Sequence, residues 1–310
     1  MRVVALAGGV GGAKLAHGLQ QVLEPGALAV VVNTADDVEL HGLLVCPDHD
    51  TVLYTLAGLA DRERGWGLAG ETWSALDQLG RLGEETWFAL GDRDLALHVV
   101  RTARIRAGAR LTQVALEFGA RLGVPTRILP ATDDRIRTRV RTPGGWLDFQ
   151  DYFVRLRCEP AVLEVAADGV AGARPTPEVL DALAGAERIV ICPSNPVVSI
   201  GPILAIPGMR AAIEAARERG VGVVAVSPIV AGRALRGPAD RMLVSLGGEA
   251  SVVEVARRYA GLADRLLIDE ADADLADAVA AAGVRPVVAA TVMTDDTARA
   301  ALARAVLAAA

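Results

Sequence analysis

The segment VVALAGGVGGAKL, residues 3–15, constrains the fold more than any other stretch of the chain. A five-residue apolar run stops at four glycines, Gly8, Gly9, Gly11 and Gly12, and a helical pattern over residues 13–23 follows at once. Strand, glycine turn and helix start bring several backbone N–H groups and the positive end of a helix dipole to one point, which favours phosphate. Lys14 closes this loop and is the only lysine, since 31 of the 32 basic residues are arginine. Neither common nucleotide motif is complete. Ala13 stands where a Walker A loop needs its last glycine and Leu15 where it needs a hydroxyl, while Lys14 takes the third glycine position of a dinucleotide fingerprint. The residues predict a phosphate cradle with a cation, against the plainer reading of a tight turn with an exposed lysine.

Further apolar runs repeat the strand theme. ALAVVVNTADD (27–37), RIVICPSNP (188–196), GVGVVAVSPIVAG (220–232) and DRLLIDE (264–270) alternate with helical patterns such as 209–218 and 252–259. Continuous apolar strands ending in polar residues belong to parallel sheets covered on both faces. The expectation is an α/β fold: a Rossmann-like, doubly wound, mainly parallel sheet of four or five strands in one domain spanning 1–310. Its core would be 1–50 and 185–310, with a helical insertion at about 51–125 and a β-hairpin or mini-sheet at about 134–157, where arginines alternate around Pro143-Gly144-Gly145. The tail from 296 reads as a closing helix.

Composition narrows the function classes. A net charge of −6 gives no basic field for nucleic acid. The apolar run at the start is too short for a signal segment and no 18-residue apolar run follows, so a soluble, cytoplasmic chain without membrane partners is expected. Cys46, Cys158 and Cys192 are odd in number and lack CxxC spacing, which predicts buried thiols rather than disulfides or a zinc site.

NTADD (33–37) and CPDHDT (46–51) crowd Asp36, Asp37, Asp48 and Asp50 near one strand end. Hard oxygen ligands without a His/Cys cluster suit Mg²⁺, although turn formation is an equal alternative for any single one of them. LGDRDLALH (90–98) starts a helix, and Asp92 reads first as the N-cap of that helix. Trp66, Trp73 and Trp87 lie within 22 residues of each other and are either core or the walls of a slot for a flat ligand. In CPSNPVVSIGPILAIPG (192–208), Ser194, Asn195, Ser199 and Gly201 offer hydroxyl, amide and backbone donors at a helix start.

Taken in order, GGVGGAKL, NTADD, CPDHDTVLY, RGWG, LGDRDLALH, LTQ, LPATDD, FQDYFVR, PSNPVVSIGPIL, VSPIV and GPADRM closely resemble the 2-phospho-L-lactate transferase family of coenzyme F420 biosynthesis (CofD, FbiA), from residue 1 to about 300. The resemblance implies a Mg²⁺-dependent transferase, commonly a homodimer, that moves a phospholactyl or phosphoenolpyruvyl group. The donor would be guanosine diphosphate-activated, the acceptor the deazaflavin Fo, and GMP would be released. It implies that Gly8, Gly9, Gly11, Gly12 and Lys14 face phosphate. Asp37, Asp48 and Asp50 would lie near metal and Fo, with Asp37 and Asp50 as metal ligands and Asp37, Asp50 and Lys14 in catalysis. Ser194, Asn195, Ser199 and Gly201 would meet the guanosine nucleotide, and Trp87, Ala89 and Asp92 the Fo side. Some archaeal relatives have a lysine just before LGDRD; Phe88, Ala89 and Leu90 here leave only apolar or backbone contacts. Two other classes share the opening βαβ unit: a non-catalytic nucleotide-sugar-binding regulator of the gluconeogenesis-factor type, and an NAD-binding oxidoreductase. CPDHD and LGDRD speak against the first, and the incomplete GxGxxG against the second.

Overall fold

Strands β1 (Val3–Ala7) and β2 (Leu28–Val32) are apolar and buried at every position, because each has strand neighbours on both sides and helices on both faces. They come from a computed structural model that describes residues 1–309. Helix α1 (Gly9–Val22) links them. A hairpin of β3 (Val38–Leu40) and β4 (Leu43–Val45) leads to α2 (Pro47–Leu56), α3 (Ser74–Arg81), α4 (Asp92–Arg106) and α5 (Leu111–Arg121). After β5 (Arg127–Pro130) come β6 (Arg137–Thr142), β7 (Gly145–Asp148) and β8 (Glu164–Asp168). The second half runs α6 (Pro177–Ala184), β9 (Arg188–Ile191), α7 (Ile200–Ala205), α8 (Met209–Glu218) and β10 (Gly222–Val226). The short pair β11 (Ile229–Val230) and β12 (Arg233–Ala234) is followed by α9 (Ala239–Ser245), α10 (Val252–Tyr259), β13 (Arg265–Ile268), α11 (Ala276–Ala281), β14 (Arg285–Val288) and α12 (Asp296–Ala308).

The main sheet has the order β14-β13-β10-β9-β1-β2-β5, and all its pairings are parallel. The Rossmann-like α/β expectation holds, with seven strands where the patterns indicated four or five. Alternation along the strands divides the core into two layers. Val4 and Leu6 pack with Val31, Ile189 and Ile213 on one face, while Val3, Ala5 and Ala7 pack with Leu15, Val30 and Leu302 on the other. Each fully buried leucine or valine contributes roughly 1.5–3 kcal/mol. Side-chain caps place the later helices: Thr176 accepts the Val179 N–H before Pro177 opens α6, Ser251 caps α10 and Asp295 caps α12.

The helices over 51–125 are only partly an addition to the sheet. Val52, Leu53, Val114 and Phe118 belong to the same core layer as Leu15, so α2 and α5 cover the sheet, whereas α3 has no buried residue. The arginine-rich segment forms the β6–β7 hairpin, and β8 makes it a three-stranded antiparallel sheet. All three cysteines are buried and free. Among the described residues no helix is long and apolar enough to cross a membrane.

Candidate active site

Loops leave the C-terminal ends of β1, β2 and β9 side by side, and the strand order reverses between β9 and β1. Open α/β sheets bind ligands at such a switch point, where the flanking loops diverge and leave a crevice. The β1 loop runs into the first turn of α1, which contains no acidic side chain to offset the positive end of the helix dipole.

The glycines also let two loops touch. A Cβ on Gly8 would lie 2.5 Å from Asp48 Oδ2 and 2.7 Å from Ser199 Cβ; on Gly11, 2.3 Å from the Pro193 carbonyl oxygen; on Gly12, 2.5 Å from Ser194 Oγ. Ser194 Oγ accepts the Gly8 N–H at 3.0 Å and donates to the Gly8 carbonyl at 2.8 Å, fastening the β9 loop to the β1 loop. Asn195 Oδ1 accepts the Val197 N–H at 2.9 Å and so turns its own loop. Gly201 packs against the Pro196 carbonyl, 3.0 Å from where its Cβ would stand. Ser194, Asn195, Ser199 and Gly201 are thus gathered along one wall of the crevice, with the first two building that wall.

Asp48 bridges this wall to the acidic loop. Its Oδ1 accepts the Gly9 N–H at 2.7 Å and its Oδ2 the Asn33 side-chain amide at 3.0 Å. Burial nevertheless pushes its pKa up to about 6. Burial likewise pushes Asp37 up to about 7, although Arg137 pulls it down, and raises Asp36 well above the usual range with help from the charge of Asp48. Asp36 Oδ1 and Asp37 Oδ1 are buried with no hydrogen-bond partner. Buried, unpartnered carboxylate oxygens at the mouth of a ligand crevice fit a hard divalent cation such as Mg²⁺.

Asp50 has a different environment. Both of its oxygens accept from the guanidinium of Arg101, at 3.0 Å for Nη1–Oδ2, and its Oδ1 also meets His49 Nδ1 at 3.0 Å. Arg101 is 1% exposed, Nη1 lies 3.2 Å from His98 Nδ1, and His98 Nε2 lies 3.2 Å from Asp94, which also accepts from the Tyr54 hydroxyl. Burial would raise the Asp50 pKa, but Arg101, His49 and His98 together hold it below the usual carboxylate range. Asp50 is thus the carboxylate that pairs with Arg101, and with Asp94 and His98 it also forms a cluster whose potential ligand atoms all lie within 4.8 Å of one another, while Asp37 has an oxygen without a hydrogen-bond partner.

Lys14 lies in α1, and its Nζ donates to the Met293 carbonyl at 3.1 Å. Desolvation lowers its pKa, as do Arg299 and Arg236, so three cations meet at this corner. It makes no hydrogen bond with the aspartates of the crevice.

Asp92 caps a helix, but not its own. Its carboxylate accepts from Thr72 Oγ1 at 2.6 Å, Ser74 N at 3.0 Å and Ala75 N at 2.8 Å, and so caps α3. In return Glu71 accepts from Arg93 N and Asp94 N at the start of α4. None of the three clustered tryptophans is in the core. Trp66 and Trp73 flank Arg64, whose guanidinium carbon is 4.8 and 5.1 Å from their rings. Trp87 donates to Glu85 at 3.1 Å under the guanidinium of Arg155, and with Ala89 it stays half-buried in the segment leading to α4.

Sequence reading missed Asn33, His49, His98, Arg101 and Arg137 as parts of this region. A signal existed for one group: Asp94, His98 and Arg101 recur at helical spacing on one face of α4.

The family model described as 2-phospho-L-lactate transferase CofD matches residues 3–308. The chain is similar to a phosphoenolpyruvate transferase from Streptomyces griseus subsp. griseus, 46% identical over 310 residues that cover 98% of this chain and 96% of that protein. It is also similar to a phosphoenolpyruvate transferase from Mycobacterium tuberculosis, 41% identical over 330 residues that cover 98% and 97% of the two chains. A crystal structure of a UPF0052 family member from Bacillus halodurans superposes with a TM-score of 0.62 at 18% identity, covering 99% of this chain and 98% of that one, a likeness of fold.

Proposed function

The chain belongs to the 2-phospho-L-lactate transferase CofD family and is a phospho-acid transferase of coenzyme F420 biosynthesis, and from this premise we propose that it moves a phosphoenolpyruvyl group from a guanosine diphosphate-activated donor to the deazaflavin Fo. Among the candidate acids, phosphoenolpyruvate is favoured because the relatives at 41–46% identity are named phosphoenolpyruvate transferases. Family membership also weighs against a non-catalytic regulator and an NAD-dependent oxidoreductase. The observation that carries the reading is the crevice itself, where Asp48 ties the start of α1 to Asn33 in the loop that also carries the buried, unpartnered oxygens of Asp36 and Asp37.

In this reading the guanosine lies along Ser194–Gly201 and the diphosphate at the start of α1, where the dipole favours negative charge. The Fo ribityl oxygen forms the new bond to the phosphorus bearing the acid, the bond from that phosphorus to the bridging oxygen breaks, and GMP leaves with the electron pair. Asp48 is placed between the glycine loop and the acidic loop. With a pKa of about 6 it is ionised at neutral pH and able to take the hydroxyl proton. Asp37, with its free oxygen, would hold Mg²⁺ together with Asp36; bound there, the ion neutralises charge on the diphosphate. Positioning by the two fastened loops does the remaining work, since in-line substitution at phosphorus demands alignment more than covalent help. Trp87 and Ala89 border the Fo side, and assembly as a homodimer in the cytoplasm completes the proposal.

Mass spectrometry of the reaction of Fo with each activated acid, with Mg²⁺ present, is expected to give the dehydro F420-0 product from the phosphoenolpyruvyl donor together with GMP. Absence of any Fo adduct from all donors would refute the transfer. Lys14→Ala is expected to raise the donor KM about 10-fold and Lys14→Arg to restore most of it, because a guanidinium still supplies charge at that corner. Equal donor KM values in the three proteins would remove Lys14 from phosphate binding.

A further inference from the structure

We propose that Arg137 is the anchor for the carboxylate of the transferred acid, held in a cavity between the acidic loop and the small sheet. The inference rests on the phospho-acid transfer proposed above. β6 is fastened to the loop after β2: the Thr138 N–H donates to the Ala35 carbonyl at 2.7 Å, and the Gln150 side-chain amide donates to the Asp36 carbonyl at 3.1 Å. Between these fastenings lies a cavity of about 500 Å³, lined by Asp36, Asp37, Arg135, Arg137, Arg139 and Gln150 among others. Along β6 Thr138, Val140 and Thr142 are buried while Arg137 and Arg139 are half-buried, and Arg137, Thr138 and Arg139 line the cavity.

The three arginines are not equivalent. Arg139 is neutralised by Asp148 at 3.3 Å and Asp168 at 3.9 Å, and Arg135 is exposed. Arg137 is half-buried, makes one side-chain hydrogen bond, 2.8 Å to the Ile136 carbonyl, and has no carboxylate partner among the described residues. Most of its five N–H donors are therefore unassigned while it lines the same cavity as Asp37.

The transferred group supplies the matching partner. In a 2-phospho acid the carboxylate is attached to the carbon that carries the ester oxygen, so a phosphoryl group held beside Asp37 brings its carboxylate within one small-molecule length. A planar guanidinium takes a carboxylate through two parallel hydrogen bonds. A 3-phospho acid carries its carboxylate one carbon further from the ester oxygen, so an anchor at Arg137 would make this residue a determinant of donor choice.

The test is equilibrium binding of GDP, of guanosine diphosphate-activated phosphoenolpyruvate, and of its carboxamide analogue to wild type, Arg137→Gln and Arg137→Lys. Wild type is expected to prefer the acid over the amide by about 10- to 100-fold. Arg137→Gln is expected to lose that preference with GDP affinity unchanged, which also reports that it is folded, and Arg137→Lys to fall between. Retention of the preference by Arg137→Gln, or a parallel loss of GDP and donor affinity, overturns the anchor while leaving the transfer intact. Failure of wild type to bind any of the three guanosine compounds overturns the transfer reading and the anchor with it.

Discussion

Asp50→Asn is expected to destabilise the fold by about 3–5 kcal/mol, because it removes one partner of a buried ion pair and leaves the other uncompensated. Arg101 is 1% exposed, and Asp50 is the carboxylate that receives its guanidinium directly. The loss should appear as a fall in melting temperature on the order of 10 °C for a domain of this size, measured by calorimetry or urea titration. The sign with pH is fixed by the depressed folded-state pKa of Asp50, due to Arg101, His49 and His98 acting against burial. Its stabilisation is complete above the unfolded value near 3.9 and disappears as pH falls through the folded value. Adding Arg101→Met to Asp50→Asn should recover part of the loss, since an apolar side chain of similar length replaces an unpaired charge. A melting temperature within 1 °C of wild type, with turnover abolished, would instead return Asp50 to direct metal or substrate binding.

This network also marks the limit of what the chain reveals when read linearly. β1, β2, β9, β10 and β13 announce themselves as apolar runs because they are interior strands, screened on both faces. β5 and β14 do not: RILP and RPVV each contain a proline, a residue tolerated at sheet edges, which is where both strands lie. The glycine loop was legible as a sharp strand-to-helix turn. Its close contact with Pro193 and Ser194 was not, since the partner residues are about 180 positions away in the chain. Asp37 and Asp48 were recognisable as site candidates by crowding alone. The ion pair of Asp50 depends on Arg101, which comes from another helix and looks in the sequence like one arginine among 31. Asp92 was read as the N-cap of its own helix, but Gly91 holds that position and the Asp92 carboxylate caps the preceding helix, a relation that only the packing of α3 beside α4 creates.

Mg²⁺ is expected to stabilise this protein more strongly at pH 8 than at pH 5, and Asp37 is expected to carry most of the difference. Burial raises the pKa of Asp37 to about 7 and that of Asp48 to about 6, so in the metal-free fold these carboxyls hold protons that the unfolded chain has already released. Stability of the metal-free protein should therefore decline as pH rises from the unfolded value near 4 through about 7, and level off above it. A shift of three units at one site corresponds to roughly 4 kcal/mol over that interval. A divalent cation takes up the charge that burial disfavours and displaces the protons, so binding tightens over the same pH range in which the free protein weakens. Thermal melts at pH 5, 6.5 and 8, with Mg²⁺ or with a chelator, measure both trends. Asp37→Asn should flatten the pH slope of the chelated protein, abolish most of the Mg²⁺ gain at pH 8, and reduce turnover more than donor KM. Asp50→Asn should keep its Mg²⁺ gain while melting lower throughout, because its carboxylate serves Arg101. A Mg²⁺ gain equal at all three pH values, or preserved in Asp37→Asn and lost in Asp50→Asn, would place the ion at the Arg101 end of the crevice instead.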